Sequence, residues 1–449
     1  MLARKYGWFG AYLVVGLACA CRTAAPETQP LDVAVAASSP ATQTNVVNDQ
    51  DGAERAVCVT APGLGRARTA RLESATRAAR ARSSEPRAWA DAGEAWLALA
   101  ESSGDAGYTL NAEACAHVAL TLDAEHAGAL GVRARVLLDK HDFKTARALA
   151  ETILAKLPDD LSALRTLSDA ALELGDMDGC ERAVGRLLDL EPNLAAYSRA
   201  AYLRWLHGQV PQAIELMRLA IDAAGDPNAR DARAWALTQT ALLFWHQGDY
   251  EGADAGFSLA LEVRPEHAPA LVGRARVALA RADYAPASEL LERALQLQPE
   301  VETARLYAEL RALLGDTPGA AAANARAERL GRADRRGLSL YYSTRDLEPE
   351  RALALASEEI AGRGDIYTED ALAWALHKNG HHELAERHIG RALRHGTLDA
   401  RLLYHAGAIA IGAGKRERGR ALLRQALSLN PSFGIDEVSA ARRLLGAVT

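Results

Sequence analysis

Along most of the chain, apolar and small residues return in paired short stretches separated by the same polar turn. The pattern is clearest in GDYEGADAGFSLALEVRP (248–265). A Gly-Asp-Tyr turn is followed by a small residue three positions on, a second alanine seven later, and a closing proline. The phrase recurs as GDMDGCERAVGRLLDLEP (175–192) and ADYAPASELLERALQLQP (282–299), with variants at 141–158 and 414–431. Aligning the small residue after the turn gives Ala112, Ala146, Cys180, Ala213, Ala253, Ala287, Ala320, Ala352, Ala385 and Gly419. The gaps between them are 34, 34, 33, 40, 34, 33, 32, 33 and 34 residues. A unit of this size holds two amphipathic helices of about a dozen residues each, too short to be stable alone in water. Neighbouring units must therefore cover one another's apolar faces, which predicts a quasi-one-dimensional stack. The gap of 40 predicts a longer loop around 223–232. Units centred on Ala320 and Ala352 lack the closing proline, so a bend or loosening is expected there.

This period and pattern resemble the tetratricopeptide repeat, a helix–turn–helix unit of 34 residues. The resemblance covers about residues 94–431 and includes the closing prolines Pro158, Pro192, Pro265, Pro299 and Pro431. Pro211, Pro286, Pro318 and Pro349 fall at the start of a second helix, where a missing N–H costs nothing. It implies an all-α solenoid, a right-handed superhelix of about ten repeats. The small residue after the turn lets paired helices approach, so larger side chains there should overpack the contact. Outside the repeats, residues 64–93 read as an arginine-rich capping helix and linker, and 432–449 as a C-terminal capping helix.

Composition agrees with a helical chain. The 449 residues are 49% apolar but only 5% aromatic, with nine isoleucines and five phenylalanines. That scarcity argues against a large sheet, because strands are built mainly from β-branched and aromatic residues. A formal charge of −6 implies no strong field for nucleic acid. The five cysteines include no CxxC pair, so a disulfide framework or zinc ribbon is not expected. Cys115 and Cys180 sit at small packed repeat positions and are expected as buried thiols, and Cys58 has no evident mate.

The first 21 residues, MLARKYGWFGAYLVVGLACAC, have a charged start at Arg4 and Lys5, a short apolar run, and small residues before cysteine. The apolar run is short for a membrane-spanning helix. It resembles a bacterial lipoprotein signal, which implies lipidation at Cys21, with Cys19 as the alternative. An ordinary cleaved signal or a short uncleaved anchor are the other readings. Residues 22–63 follow as a flexible tether, rich at first in Ala, Thr, Pro, Gln and Ser. By resemblance to Gram-negative lipoproteins, the lack of aspartate after either cysteine favours the periplasmic face of the outer membrane. A soluble periplasmic or inner-membrane-anchored chain remains the alternative.

Little of the sequence points to catalysis, and no cofactor is implied. There is no GxxxxGK[ST] loop and no GxSxG elbow. In HHELAERH (381–388), Glu386 stands where a zinc hydrolase needs its second histidine. Six of the twelve histidines lie in 377–405, and His377, His381 and His388 could converge on a first-row metal or simply dress a solvated face. Arg66, Arg68, Arg71, Arg77, Arg80 and Arg82 face a single acid, Glu73, within 64–82. They could touch anionic lipid or an acidic partner, or form a solvated face.

In tetratricopeptide arrays the first helix of each unit lines the concave wall. Carried over position by position, the groove residues are Arg135, Arg165, Asp169, Tyr202, Trp205, Trp235, Leu242, Trp245, His246, Arg276, Glu309, Tyr341, Trp374 and His377. Four of seven tryptophans land there, as candidate anchors for a peptide or protein partner. Their other reading is that they lean sideways and seal adjacent repeats. If they are anchors, Trp205→Ala and Trp245→Ala weaken binding and spare helicity. The resemblance thus implies a membrane-tethered periplasmic scaffold for a cell-envelope assembly. The alternatives are a metal-binding envelope protein using the C-terminal histidines and an accessory subunit presenting substrate to a separate enzyme.

Overall fold

The Gly-Asp phrase is a helix–turn–helix joint whose geometry follows from two residue types. Gly175, Gly208, Gly248, Gly315, Gly380 and Gly414 have φ between +69° and +80°, which turns the chain out of one helix. The aspartate that follows caps the next helix. Asp142, Asp176, Asp249 and Asp316 each accept a hydrogen bond from the backbone N–H three residues on, at 2.9–3.2 Å. His141 and Ala282 take the same left-handed conformation without glycine's freedom.

The computed structural model describes residues 52–60, 66–103, 107–224 and 230–446. The leader, most of the tether, and the lipidation candidates Cys19 and Cys21 lie outside the described residues, as does the centre of the 223–232 loop. Among the described residues there are 23 α-helices. They begin with α1 (52–59), α2 (Arg66–Ala81), α3 (Pro86–Ser103), α4 (Tyr108–Leu122), α5 (Ala127–Asp139) and α6 (Phe143–Lys156). Then follow α7 (Leu161–Glu173), α8 (Met177–Leu190), α9 (Leu194–Leu206), α10 (Val210–Ala223), α11 (Arg230–His246) and α12 (Tyr250–Val263). The rest are α13 (Ala268–Ala280), α14 (Tyr284–Leu297), α15 (Val301–Leu313), α16 (Thr317–Gly331), α17 (Arg335–Thr344) and α18 (Pro349–Gly362). The chain closes with α19 (Ile366–Lys378), α20 (His382–Ala392), α21 (Ala400–Gly412), α22 (Arg416–Leu429) and α23 (Ile435–Gly446). From α3 to α22 they alternate as first and second helices of ten units, an all-α solenoid. All ten aligned small residues are buried on the second helices. Gly419 shows why: a Cβ there would stand 2.6 Å from the Gly407 carbonyl oxygen of the paired helix. The first paired helix starts at Pro86, so the expected boundary at 94 falls inside α3. The expected irregularity is visible at α17, which has 10 residues where other first helices have 13 to 18, and α18 is entered through Glu348 at φ 43°. None of the described helices is long and apolar enough to cross a membrane.

The chain divides inside α7, between Ala171 and Leu172, into two compact units. In the unit up to Ala171, Trp96, Leu97, Cys115 and Val132 form the core with Leu72 from α2. Cys58 of α1 is disulfide-bonded to Cys115 of α4, 57 residues away. This corrects the expectation of a mateless Cys58 and a free Cys115; Cys180 is the buried free thiol among the described residues. The bond fastens α1 over the first helix pair. The Trp96 indole N–H donates to the Cys58 carbonyl at 2.7 Å, and the Asn111 amide donates to the Val57 carbonyl at 2.8 Å. Closing a loop of that length removes about 4 kcal/mol of unfolded-chain entropy in the chain-entropy model. Cys58→Ser/Cys115→Ser should therefore lower the urea midpoint of this unit, by up to that amount of free energy. Added reductant should then have no further effect on the variant, while it lowers the parent to the same midpoint.

In the unit from Leu172 onward, successive turns of the solenoid touch. The end of α7 meets the loop before α19, the end of α9 meets the loop before α21, and the end of α11 meets the loop before α23. The Gly364 N–H donates to the Glu173 carbonyl at 2.7 Å, and Thr397 Oγ1 donates to the Leu206 carbonyl at 2.6 Å. Asn430 Nδ2 donates to the Trp245 carbonyl at 2.7 Å, while its Oδ1 accepts from Tyr250 at 2.9 Å. Each contact joins elements six units apart, so about six repeats complete one turn. Glycine is required at these joints for space as well as conformation. A Cβ on Gly208 would lie 2.5 Å from the Gly396 carbonyl oxygen, and one on Gly248 2.8 Å from that of Leu429. The last helix, α23, packs against α22, α21 and α15. It is thus more than an end cap.

Candidate interaction surfaces

Turn-to-turn contact decides the fate of the expected groove. Trp205 is fully buried, with its ring stacked on Tyr367 of α19 at 6.2 Å and tilted against His246 at 5.1 Å. Trp374 is buried between His405 (4.2 Å) and His377 (5.1 Å). Tyr202, Leu242, Trp245 and Tyr341 are buried as well, and Trp235 is half-buried. The Tyr202 phenol is held well above its usual range, first by burial and then by Asp365 and Glu173. The Tyr341 hydroxyl donates to Asn324 Oδ1 at 3.2 Å. As exposed anchors, Trp205, Trp245 and Trp374 are therefore corrected: the chain's own next turn covers Trp205, and α21 covers Trp374. Inward aromatic positions become core wherever the superhelix closes tightly enough for its turns to meet.

The charged groove residues join a buried ionic network. Glu302 lies 2.9 Å from Arg305, 3.1 Å from Arg401 and 3.9 Å from Arg276. Burial works against its charge, but the three guanidiniums hold its carboxyl well below the usual range. Arg305 also pairs with Glu309 of its own helix and, at 3.1 Å, with Glu437 of α23. Burial raises the Glu309 carboxyl well above its ordinary value. Burial likewise lowers the pKa of Arg276 and of His246, whose ring is 3.9 Å from Asp399. Beside Arg276, a cavity lined by Leu242, Val272, Glu300 and Glu302 measures about 10 Å³, room for one water and not for a peptide side chain.

Glu300 gives this interior a pH signature. Its carboxyl is pushed up to about 8, mainly by burial. A raised carboxyl contributes its stability below the unfolded-state pKa, near 4.5, and loses it as pH rises through 8. The parent should become less stable between these limits. Glu300→Gln, which keeps a partner for the Gln298 amide (2.6 Å from Glu300), should flatten that slope. Thermal melts should show the variant more stable by a few kcal/mol at pH 8.5, with the gain vanishing near pH 5.

The histidine cluster does not assemble as a ligand set. His377 Nδ1 faces His382 Nδ1 at 3.1 Å, His381 is exposed at the start of α20, and His388 Nδ1 pairs with Glu369 at 2.6 Å. Burial lowers the His377 pKa to about 4. Among the described residues, no group of three His, Cys, Asp or Glu could hold a metal ion. In the arginine helix Arg71, Arg77 and Arg80 are exposed, as is Arg82 just after it. Arg80 donates to the Val59 carbonyl at 2.7 Å and Arg82 pairs with Glu85 at 3.2 Å, while the Arg66 and Arg68 side chains lie outside the described residues.

In the unit up to Ala171 the expected groove positions are charged and partly exposed. Arg135, Arg165 and Asp169 are all half-buried. Arg135 is 2.9 Å from Glu94 and also pairs with Glu101. Near them, burial pushes the Asp139 carboxyl up to about 7. Sequence reasoning missed Glu94, Glu101 and Asp139. Acids one unit away from, or one turn along from, an inward arginine were the available signal.

Residues 137–202 match the tetratricopeptide repeat family. No curated protein matches the chain. Among solved structures it is similar to Pseudomonas aeruginosa pilF, with 14% identity, 46% of this chain and 92% of that one covered, and a TM-score of 0.39. It is also similar to PilW, described as a type IV pilus biogenesis factor (16% identity, 45% and 92% covered, TM-score 0.39). A human IFIT1 dimer covers more of this chain, 85% against 95% of its own, at 12% identity and a TM-score of 0.45. These likenesses, at such identities and scores, carry no argument about partners. Residues 137–202 are thus tetratricopeptide repeat by family match, and the ten helix pairs of α3–α22, spaced 32–34 residues apart but for one gap of 40, form an all-α solenoid in the same helix–turn–helix register.

Proposed function

We propose that the chain is a membrane-tethered periplasmic scaffold, lipidated at Cys21 or Cys19, that binds a peptide or subunit of a cell-envelope assembly. Its action is binding, not catalysis. The partner sits on the concave face of the unit up to Ala171, around Arg135, Arg165 and Asp169. One observation carries this placement: these inward positions are charged and half-buried, whereas Tyr202, Trp205, Trp245, Tyr341 and Trp374 at the inward positions after Leu172 are buried. A charged, half-buried surface suits a polar or charged peptide, with specificity from complementary charge. The Cys58–Cys115 bond supports an oxidising compartment such as the periplasm.

A photo-crosslinking residue placed at Arg165 or Asp169 of the full chain, in its own cells, tests the site. A discrete protein adduct is expected from either position and not from Arg147 on the second helix α6. Equal adducts from all three, or none from the concave pair, would remove the groove reading. In the same cells, replacing both Cys19 and Cys21 by serine should release the chain from the membrane fraction. Retention there would remove the lipid tether.

A further inference from the structure

Independently of that reading, the unit after Leu172 carries an occupant on its own inner wall. The segment 430–446 leaves α22, lays Asn430 against Trp245 and Tyr250, and sets Phe433 against Tyr404 at 5.8 Å. It then starts α23 with Ile435, Asp436 and Glu437. Asp436 reaches Arg345 beyond α17 at 3.3 Å, and Glu437 reaches Arg305 of α15 at 3.1 Å. Ile435 packs with the apolar cluster that contains Leu306 and Leu310. Two acids at a helix N-terminus also suit its positive end.

The segment is held lightly for so central a place. Within α23 only Glu437, Val438 and Ala441 are buried, and most of the helix faces solvent at least in part. The Glu437 carboxylate is 1% exposed, yet neither oxygen has a hydrogen-bond partner among the described residues, and it shares Arg305 with Glu302 and Glu309. A buried ion pair so shared recovers little of its desolvation cost.

We infer that the inner wall formed by α15, α17 and α21 is a receptor for amphipathic helices that open with two acidic residues, and that α23 is its resident, displaceable occupant. A partner helix of that chemistry binds by replacing α23. The residues that recognise it are Arg305 and Arg345 for the two acids and Tyr404 for an aromatic residue just before the helix.

The test uses a fluorescent synthetic peptide of residues 430–446 as probe. The parent full chain should bind it at least 30-fold more weakly than a full chain carrying Asp436→Lys/Glu437→Lys, whose own α23 cannot dock. A peptide with the same two charge reversals should bind neither. Equal binding to parent and variant would overturn the proposal, as would no binding to a variant that keeps the parent's helicity. Should the variant fail to fold, native-state hydrogen exchange on the parent decides. Amides of α23 should exchange at least 100-fold faster than those of α15 and α21, and exchange only with global unfolding would overturn it.

Discussion

Replacing Arg305 by methionine should cost about 3–5 kcal/mol, the range for removing one partner of a buried ion pair. Methionine keeps most of the side chain's length, so the loss is electrostatic and not a cavity. Arg305 is 4% exposed and serves three carboxylates, those of Glu302, Glu309 and Glu437. Burial alone would lower its pKa, but those three acids hold it well above the usual arginine value. Without it, Glu302 keeps Arg401 and Arg276, while Glu309 and Glu437 lose the guanidinium they share. Urea unfolding followed by far-UV circular dichroism measures the effect. A double replacement, Arg305→Met with Glu309→Gln, should recover part of the loss by removing one stranded acid. A single variant as stable as the parent would mean that the inner wall is hydrated and the network solvent-screened.

The parts of this fold that are local in sequence were legible. Each joint announces itself as glycine followed by aspartate, because one residue supplies a left-handed turn and the next a helix cap. The aligned small residues follow from the contact of two paired helices, as Gly419 against Gly407 shows. Closure of the superhelix left no such trace. Its bonds join residues such as Leu206 and Thr397, 191 positions apart, and the same inward positions occur in an open array. Tyr202, Trp205 and Trp374 therefore read as groove residues when they are covered. A cue was nonetheless present. Arg276, Glu302, Arg305, Glu309 and Arg401 carry nearly balanced charges on first helices, the pattern of a wall that pairs with itself. The Cys58–Cys115 bond was beyond reach for another reason: α1 lies outside the repeat register, so nothing in the period places Cys58 beside α4.

Trp205→Ala should lower stability by about 3–5 kcal/mol, the cost of deleting a large buried aromatic side chain. For a unit of this size that is a fall in melting temperature on the order of 10 °C. The ring is fully buried, and what it touches includes Tyr202 on its own helix and Tyr367 and His246 on others, so truncation leaves a cavity walled from several directions. Its indole N–H has no hydrogen-bond partner among the described residues. Trp205→Phe, which keeps an aromatic ring and removes that donor, should therefore lose much less than the alanine variant. A tryptophan that anchors an external ligand would give the opposite pair of results: an alanine variant with the parent's melt and reduced partner binding. The melt of two variants is thus enough to separate a covered superhelical interior from an open groove.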